Sequence, residues 1–209
     1  MHPPAEARAS NSIQSVNVAE YCRAAKVGWR GRQLSALTTP SQTARDLVHQ
    51  LHERGRSITT AESCTGGGVA AAITDIPGSS RCFAAAFVTY SNRAKADILG
   101  VPKAVLKAEG AVSAAVVEAM ALGALERARA DMAISLSGIA GPGGGSAERP
   151  VGTVWMAWCI RDDAGEVSTH SERCHFDGDR TEVRSASVQY ALAQALSYLT
   201  VESAGKDTV

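Results

Sequence analysis

Two short β-prone runs each end abruptly in a glycine-rich loop, and this pattern restricts the fold more than any other in the chain. The first, Ser57 to Thr60, leads through Ala61, Glu62, Ser63, Cys64 and Thr65 into Gly66-Gly67-Gly68, and an Ala-rich helical run, Val69 to Ile73, follows at once. The second, Met132 to Leu136, is short and apolar, as a central buried strand would be, and enters the loop Ser137 to Ser146. A strand, a tight turn and a helix in succession build α/β sheets. Such a turn can present a nucleophile, because it exposes the Ser63 oxygen beside the free N–H groups of a helix start. It is equally the form of a plain connection in which Ser63 caps the helix and the glycines permit tight packing.

The remaining segments fit the same class. Residues 1–40 lack an apolar period, hold Pro3 and Pro4 and read as a poorly ordered extension, so a single domain is expected over 41–202. Ala44, Leu47, Val48 and Leu51 recur at helical spacing before Gly55. Phe83 to Tyr90 reads as a strand, Ser91-Asn92 as a cap for a helix through Ile98, and Ser113 to Arg129 as a long helix. Val151 to Ile160 and Val167 to Phe176 flank a hairpin signal, Asp162-Asp163-Ala164-Gly165. A last helix opens at Asp177 to Arg180, with Val183, Ala186, Tyr190 and Ala193 on one face. The expected fold is α/β, a mixed sheet of about five strands with helices on both sides.

Composition excludes some functions. Lys plus Arg and Asp plus Glu are 21 each in 209 residues, so bulk binding to nucleic acid or an acidic membrane is not expected. A small anionic ligand needs only one or two well-placed groups. The five cysteines (22, 64, 82, 159 and 174) form no C-x-x-C pair, and a reducing cytoplasm is the simpler setting. His49 and His52 share a helix face without a metal motif, and no metal is expected.

Familiar catalytic templates fail. There is no G-x-S-x-G elbow, no lysine three residues after Ser63 and no P-loop. What remains is Ser63 with Tyr90, which ends a strand, and Lys95, early in the next helix. If the two strands are parallel neighbours, all three groups meet on the rim where open α/β sheets bind ligands. A desolvated neutral lysine can take a serine proton, and a tyrosine can relay it or hold the lysine. The same spacing also fits an ordinary strand aromatic and a solvated helix lysine.

Thr59 to Gly67 (TTAESCTGG), Phe87 to Lys95 (FVTYSNRAK), Gly110 to Ser113 (GAVS), Ser137 to Gly145 (SGIAGPGGG), Pro150 to Trp155 (PVGTVW) and Phe176 to Arg180 (FDGDR) strongly resemble the CinA C-terminal domain family, that of the nicotinamide-nucleotide amidohydrolases. The resemblance spans about residues 42–200 in order. It implies a three-layer α/β/α sandwich that hydrolyses the carboxamide of nicotinamide mononucleotide to nicotinate mononucleotide and ammonia, without a cofactor. It carries the catalytic Ser, Tyr and Lys of the family onto Ser63, Tyr90 and Lys95. The mechanism that fits takes oxyanion donors from the amides around Thr65, Gly66 and Gly67. The ligand's phosphate would lie on the Ser137–Gly145 loop, with Ser137, Gly138, Gly141 and Gly144 as contacts, and on Arg180 at a helix start. The alternative for Arg180 is a surface pair with Asp177 or Glu182. Asn92 either binds a carboxamide or ribose hydroxyl or caps its helix, and Glu62 either orients Lys95 or caps amides. Gly143 stands where the family often has Asp. The separate domain that precedes this one in many members is not expected, because about forty residues cannot encode it. The only macroscopic partner expected is a second copy, in a homo-oligomer (a dimer or larger). Two readings compete: Cys64 as the nucleophile, and a non-catalytic nucleotide sensor with the same pocket.

Overall fold

The computed structural model describes residues 40–204, and the expected extension lies outside them. The elements are α1 (Pro40–Glu53), β1 (Ile58–Glu62), α2 (Gly68–Thr74), β2 (Phe83–Val88), α3 (Asn92–Leu99), α4 (Lys103–Glu109), α5 (Ala114–Ala128), β3 (Met132–Gly138), β4 (Thr153–Arg161), β5 (Val167–His175) and α6 (Arg180–Ala204). The strands form one sheet in the order β2-β1-β3-β4-β5. β1 runs parallel to both β2 and β3, and β4 and β5 continue the sheet antiparallel. The expected mixed sheet of α/β class is therefore present, with β1 and its Gly turn between two parallel neighbours.

Alternation along the strands decides which helices cover which face. Ile58, Met132, Ile134, Leu136, Met156 and Trp158 point one way and form a core with α1, α2 and α6. Trp158 Nε1 donates to the Ala191 carbonyl of α6 at 3.1 Å, so even this large ring leaves no polar atom unpaired. The opposite face is built from small residues, Ala61, Ala133 and Ala157, against Leu99, Leu106 and α5. Small strand residues let α5 sit close, and Ser135 Oγ reaches its Val117 carbonyl at 2.6 Å. α5 is equally close to α3. A side chain at Gly123 would collide with the Leu99 carbonyl at the end of α3, and Arg127 Nη1 donates to that same carbonyl at 3.0 Å.

Two departures from the expected elements matter. α4 lies between the expected helix ending at Ile98 and the one starting at Ser113, where no element was expected; Pro102 caps its start, and of its residues only Leu106 is buried. β3 runs two residues past Leu136, so Ser137 and Gly138 belong to the ladder, opposite Trp155 and Val154. The cysteines at 64, 82, 159 and 174 are free thiols in the interior. Among the described residues no helix is long and apolar enough to cross a membrane.

Candidate active site

β1 ends on the buried carboxylate of Glu62, and the turn after it is shaped by that group. Glu62 Oε2 accepts from Thr65 Oγ1 at 2.7 Å, from the Gly67 amide at 2.9 Å and from the Val69 amide at 3.1 Å. Its Oε1 accepts from the Ala70 amide at 2.9 Å. Gly66 and Gly67 adopt φ of 59° and 95°, which L side chains rarely do, and this folds the chain back over the carboxylate. A negative group buried at the start of α2 suits the helix dipole and replaces the missing side-chain cap. Glu62 therefore caps amides rather than orienting Lys95. Glu62→Ala would strand three amides and a hydroxyl, and urea unfolding should show a loss of at least about 3 kcal/mol. A loss below about 1 kcal/mol would mean that water takes over the role.

The same turn aims Ser63 at the other face of the sheet. The Ser63 amide is held by the Leu136 carbonyl at 3.0 Å, and Lys95 Nζ lies 2.9 Å from Ser63 Oγ. Lys95 also donates to the Thr89 carbonyl at 2.8 Å and is 1% exposed. The parallel pairing of β1 and β2 makes this meeting possible, since Thr89 leaves β2 beside Glu62 and Ser91 Oγ then caps α3 through the Ala94 amide at 3.1 Å. Among the described residues no carboxylate pairs with Lys95. Burial lowers its pKa from the ordinary 10.5, against a smaller opposing effect of Cys64. Deprotonation, which this burial favours, would leave an N–H for Thr89 and a lone pair for the serine hydroxyl.

Cys64 lies beside this pair and differs in character. It is buried, and desolvation drives its thiol up to about 11, with Glu62 adding to the rise and the amides of residues 64 and 65 opposing it. A thiol in that state is inert.

The expected oxyanion donors divide. The Gly66 amide donates to the Ser63 carbonyl at 3.1 Å and the Gly67 amide to Glu62, so both are already engaged. The amides of Cys64 and Thr65 reach no oxygen acceptor among the described residues. Of the three expected donors only the Thr65 amide is left without an oxygen acceptor, because the Ser63 carbonyl holds Gly66 and the carboxylate of Glu62 holds Gly67.

A second group forms on the rim. Arg180 Nη2 donates to the Tyr90 hydroxyl at 2.9 Å, and Nη1 to the Gly141 carbonyl at 3.1 Å. Tyr90 is 60% exposed and is not hydrogen-bonded to Ser63 or Lys95. Arg180, Gly141, Pro142, Val151 and Thr181 line an open cleft of about 470 Å³. Asp179 and Glu182 form a reciprocal cap at the start of α6. Asp179 Oδ1 accepts from the amides of Thr181 and Glu182 at 2.7 and 2.9 Å, and Glu182 Oε2 from the Asp179 amide at 2.7 Å. The helix start is thus already satisfied, which leaves Arg180 as the cation. Asp177 faces His175 at 3.5 Å, so neither expected surface pair of Arg180 forms.

Other expected contacts lie elsewhere. Ser137 is buried in β3, and a side chain at Gly138 would press on Val154 Cγ2 at 2.7 Å, so both serve strand packing. Gly144 sits beside Ile139. Asn92 is the first helical residue, after the cap, and opens into a different cleft of about 330 Å³ with Arg93, Lys103 and Lys107. Gly143 has open space around it, and a Cβ added there would meet no atom within 4 Å. Arg184 did not stand out in the sequence. Its Nη2 donates to the Thr65 carbonyl at 2.8 Å, and its place one turn after Arg180 was the available signal.

The CinA C-terminal domain profile matches residues 40–199. The chain belongs to the CinA C-terminal domain family. It is 55% identical to a protein of Escherichia coli K12 named nicotinamide-nucleotide amidohydrolase PncC, over 72% of this chain and 89% of that one. A CinA-like protein of Akkermansia muciniphila is 53% identical, over 72% of this chain but 35% of its own greater length. In three dimensions, the competence/damage inducible protein CihA from Agrobacterium tumefaciens superposes with a TM-score of 0.71 at 46% identity, covering 77% of this chain and 95% of that one. The three-layer α/β arrangement is thus shared within the CinA C-terminal domain family.

Proposed function

We propose that this chain hydrolyses the carboxamide of nicotinamide mononucleotide to nicotinate mononucleotide and ammonia, with Ser63 as nucleophile and Lys95 as base. One observation carries the reading: a buried lysine with no carboxylate partner among the described residues lies 2.9 Å from a serine hydroxyl at the end of a central strand. A pure binding site has no use for such a pair. The name of the Escherichia coli relative supports the substrate class.

Neutral Lys95 takes the Ser63 proton as Oγ adds to the carboxamide carbon. The cationic ring nitrogen of the substrate makes that carbon more electrophilic. The carbonyl oxygen becomes an oxyanion beside the amides of Cys64 and Thr65, where each good donor is worth about 3–4 kcal/mol in studied hydrolases. Lys95 returns its proton to the nitrogen, the C–N bond breaks, and ammonia leaves a nicotinoyl ester on Ser63. Water, deprotonated by the same amine, then adds to the ester. Collapse restores the serine hydroxyl and releases the carboxylate. Tyr90, bonded to Arg180 at the rim, acts here on the nucleotide's phosphate end and not as a proton relay.

Arg180 supplies the test of the substrate. It faces an open cleft, has no acidic partner among the described residues and can offer two N–H groups to a phosphate. Arg180→Ala should weaken kcat/KM for the mononucleotide by about 1.5–3 kcal/mol and leave nicotinamide riboside nearly unchanged. Ammonia release from both substrates measures this ratio. Equal losses on both would give Arg180 a structural role, and no ammonia from the mononucleotide with wild-type protein would end the proposal.

A further inference from the structure

The Thr65 amide, two residues past the nucleophile, reaches no oxygen acceptor among the described residues, and the other polar atoms of Thr65 are all tied down. Its hydroxyl donates to Glu62, while its carbonyl accepts from the Gly68 amide at 3.2 Å and from Arg184 Nη2 at 2.8 Å. The two grips come from opposite directions, Glu62 from β1 and Arg184 from α6. The guanidinium also packs on the turn, since a side chain at Gly66 would lie 3.6 Å from Nη2. Arg184 Nε is buried and has no hydrogen-bond partner, and no carboxylate pairs with Arg184 among the described residues. The guanidinium thus stands across Thr65 from the buried carboxylate of Glu62, with no direct ion pair between them.

We propose that Arg184 is a positioning residue for the oxyanion site: it fixes Thr65 so that the amides of residues 64 and 65 meet the developing negative charge, and it adds its own field there. Resting on the proposed serine chemistry, this assigns Arg184 a part in transition-state stabilisation, distinct from the phosphate reading given to Arg180. The peptide from Thr65 to Gly66 is held at both ends, its oxygen by Arg184 and its N–H by the Ser63 carbonyl. Without the guanidinium the oxygen keeps only the bond to Gly68, and the turn can rotate. Misplacement by about 1 Å is enough to cost on the order of a hundredfold in rate.

The test uses the full chain and a fluorophosphonate, which phosphonylates an activated serine with loss of fluoride and needs no knowledge of the substrate. Labelling of Ser63, followed by peptide mass, should be at least about tenfold slower in Arg184→Ala than in wild type. Arg184→Lys keeps the charge and should fall between the two, at least about threefold slower than wild type. If Arg184→Ala does not fold, Arg184→Lys carries the test. With nicotinamide mononucleotide, kcat should fall while KM stays within about twofold. Wild-type labelling rates in the folded variant overturn the inference, and so does a raised KM at unchanged kcat, because Arg184 would then bind the ground state. Should wild type label at Ser63 yet release no ammonia from the mononucleotide, the substrate proposal fails and labelling alone still decides the role of Arg184.

Discussion

Ser63→Ala is expected to lower ammonia release from nicotinamide mononucleotide by at least about ten-thousandfold, whereas Cys64→Ala should keep most of it. The size follows from what nucleophile removal costs in serine hydrolases, where the remaining site accelerates only through binding and oxyanion contacts. The asymmetry follows from the turn. Ser63 Oγ faces the amine of Lys95, while Cys64 is buried with its thiol driven up to about 11. The fold should survive in Ser63→Ala, because the main-chain bond from residue 63 to Leu136 does not involve the hydroxyl. Turnover of the two variants, with circular dichroism of each, is the measurement. An active Ser63→Ala enzyme with a dead Cys64→Ala counterpart would transfer the role to the cysteine.

Lys95→Arg is expected to be as inactive as Ser63→Ala, although it keeps the positive charge. Arginine stays protonated and cannot accept the serine proton, and its planar group does not fit the place of a compact amine between Ser63 and Thr89. The wild-type profile follows from the same group. Protonated Lys95 is inactive, so kcat/KM should rise with pH along one acidic limb whose midpoint lies below 10.5, because burial lowers this pKa. Stability shares the sign. Between the folded and the ordinary value the unfolded chain binds the extra proton, so the contribution of Lys95 to stability rises with pH across that window. An active Lys95→Arg variant, or a rate falling with rising pH over this range, would show that the lysine supplies only charge.

How much of this was legible depends on whether the signal was local. The turn at Ser63 was readable because a strand, three glycines and a helix lie in one stretch, each with its own backbone preference. The meeting of Ser63 and Lys95 was not, since it depends on β1 and β2 being parallel neighbours, and spacing alone fits a solvated lysine equally well. Only the motif resemblance favoured it. Helix α4 has no clear signal in the sequence because it buries only Leu106, too little to make an apolar period. Ser137 and Gly138 resembled loop residues for a related reason, as a strand that continues into a Gly-rich run shows no boundary. Glu62 carries two chemically equal alternatives in sequence, and only the placement of the α2 amides chooses between them. Arg184 lies one turn into α6, and its spacing from Arg180 marks a shared face without showing that it reaches back to residue 65.

The close approach of α5 to α3 bears on how this scaffold could be redesigned. The helix that carries Lys95 is seated by a main-chain oxygen, that of Leu99, resting on the bare backbone of Gly123. The Arg127 guanidinium clasps the same oxygen but makes no bond to Lys95, so a search for polar or charged neighbours of the base would pass over this seat. A library that treats α5 as an outer layer and diversifies its small residues would shift the base relative to the serine before it touched any catalytic group. Substrate scope is therefore better altered along the cleft beside Gly141 and Thr181, leaving the joint between these two helices fixed.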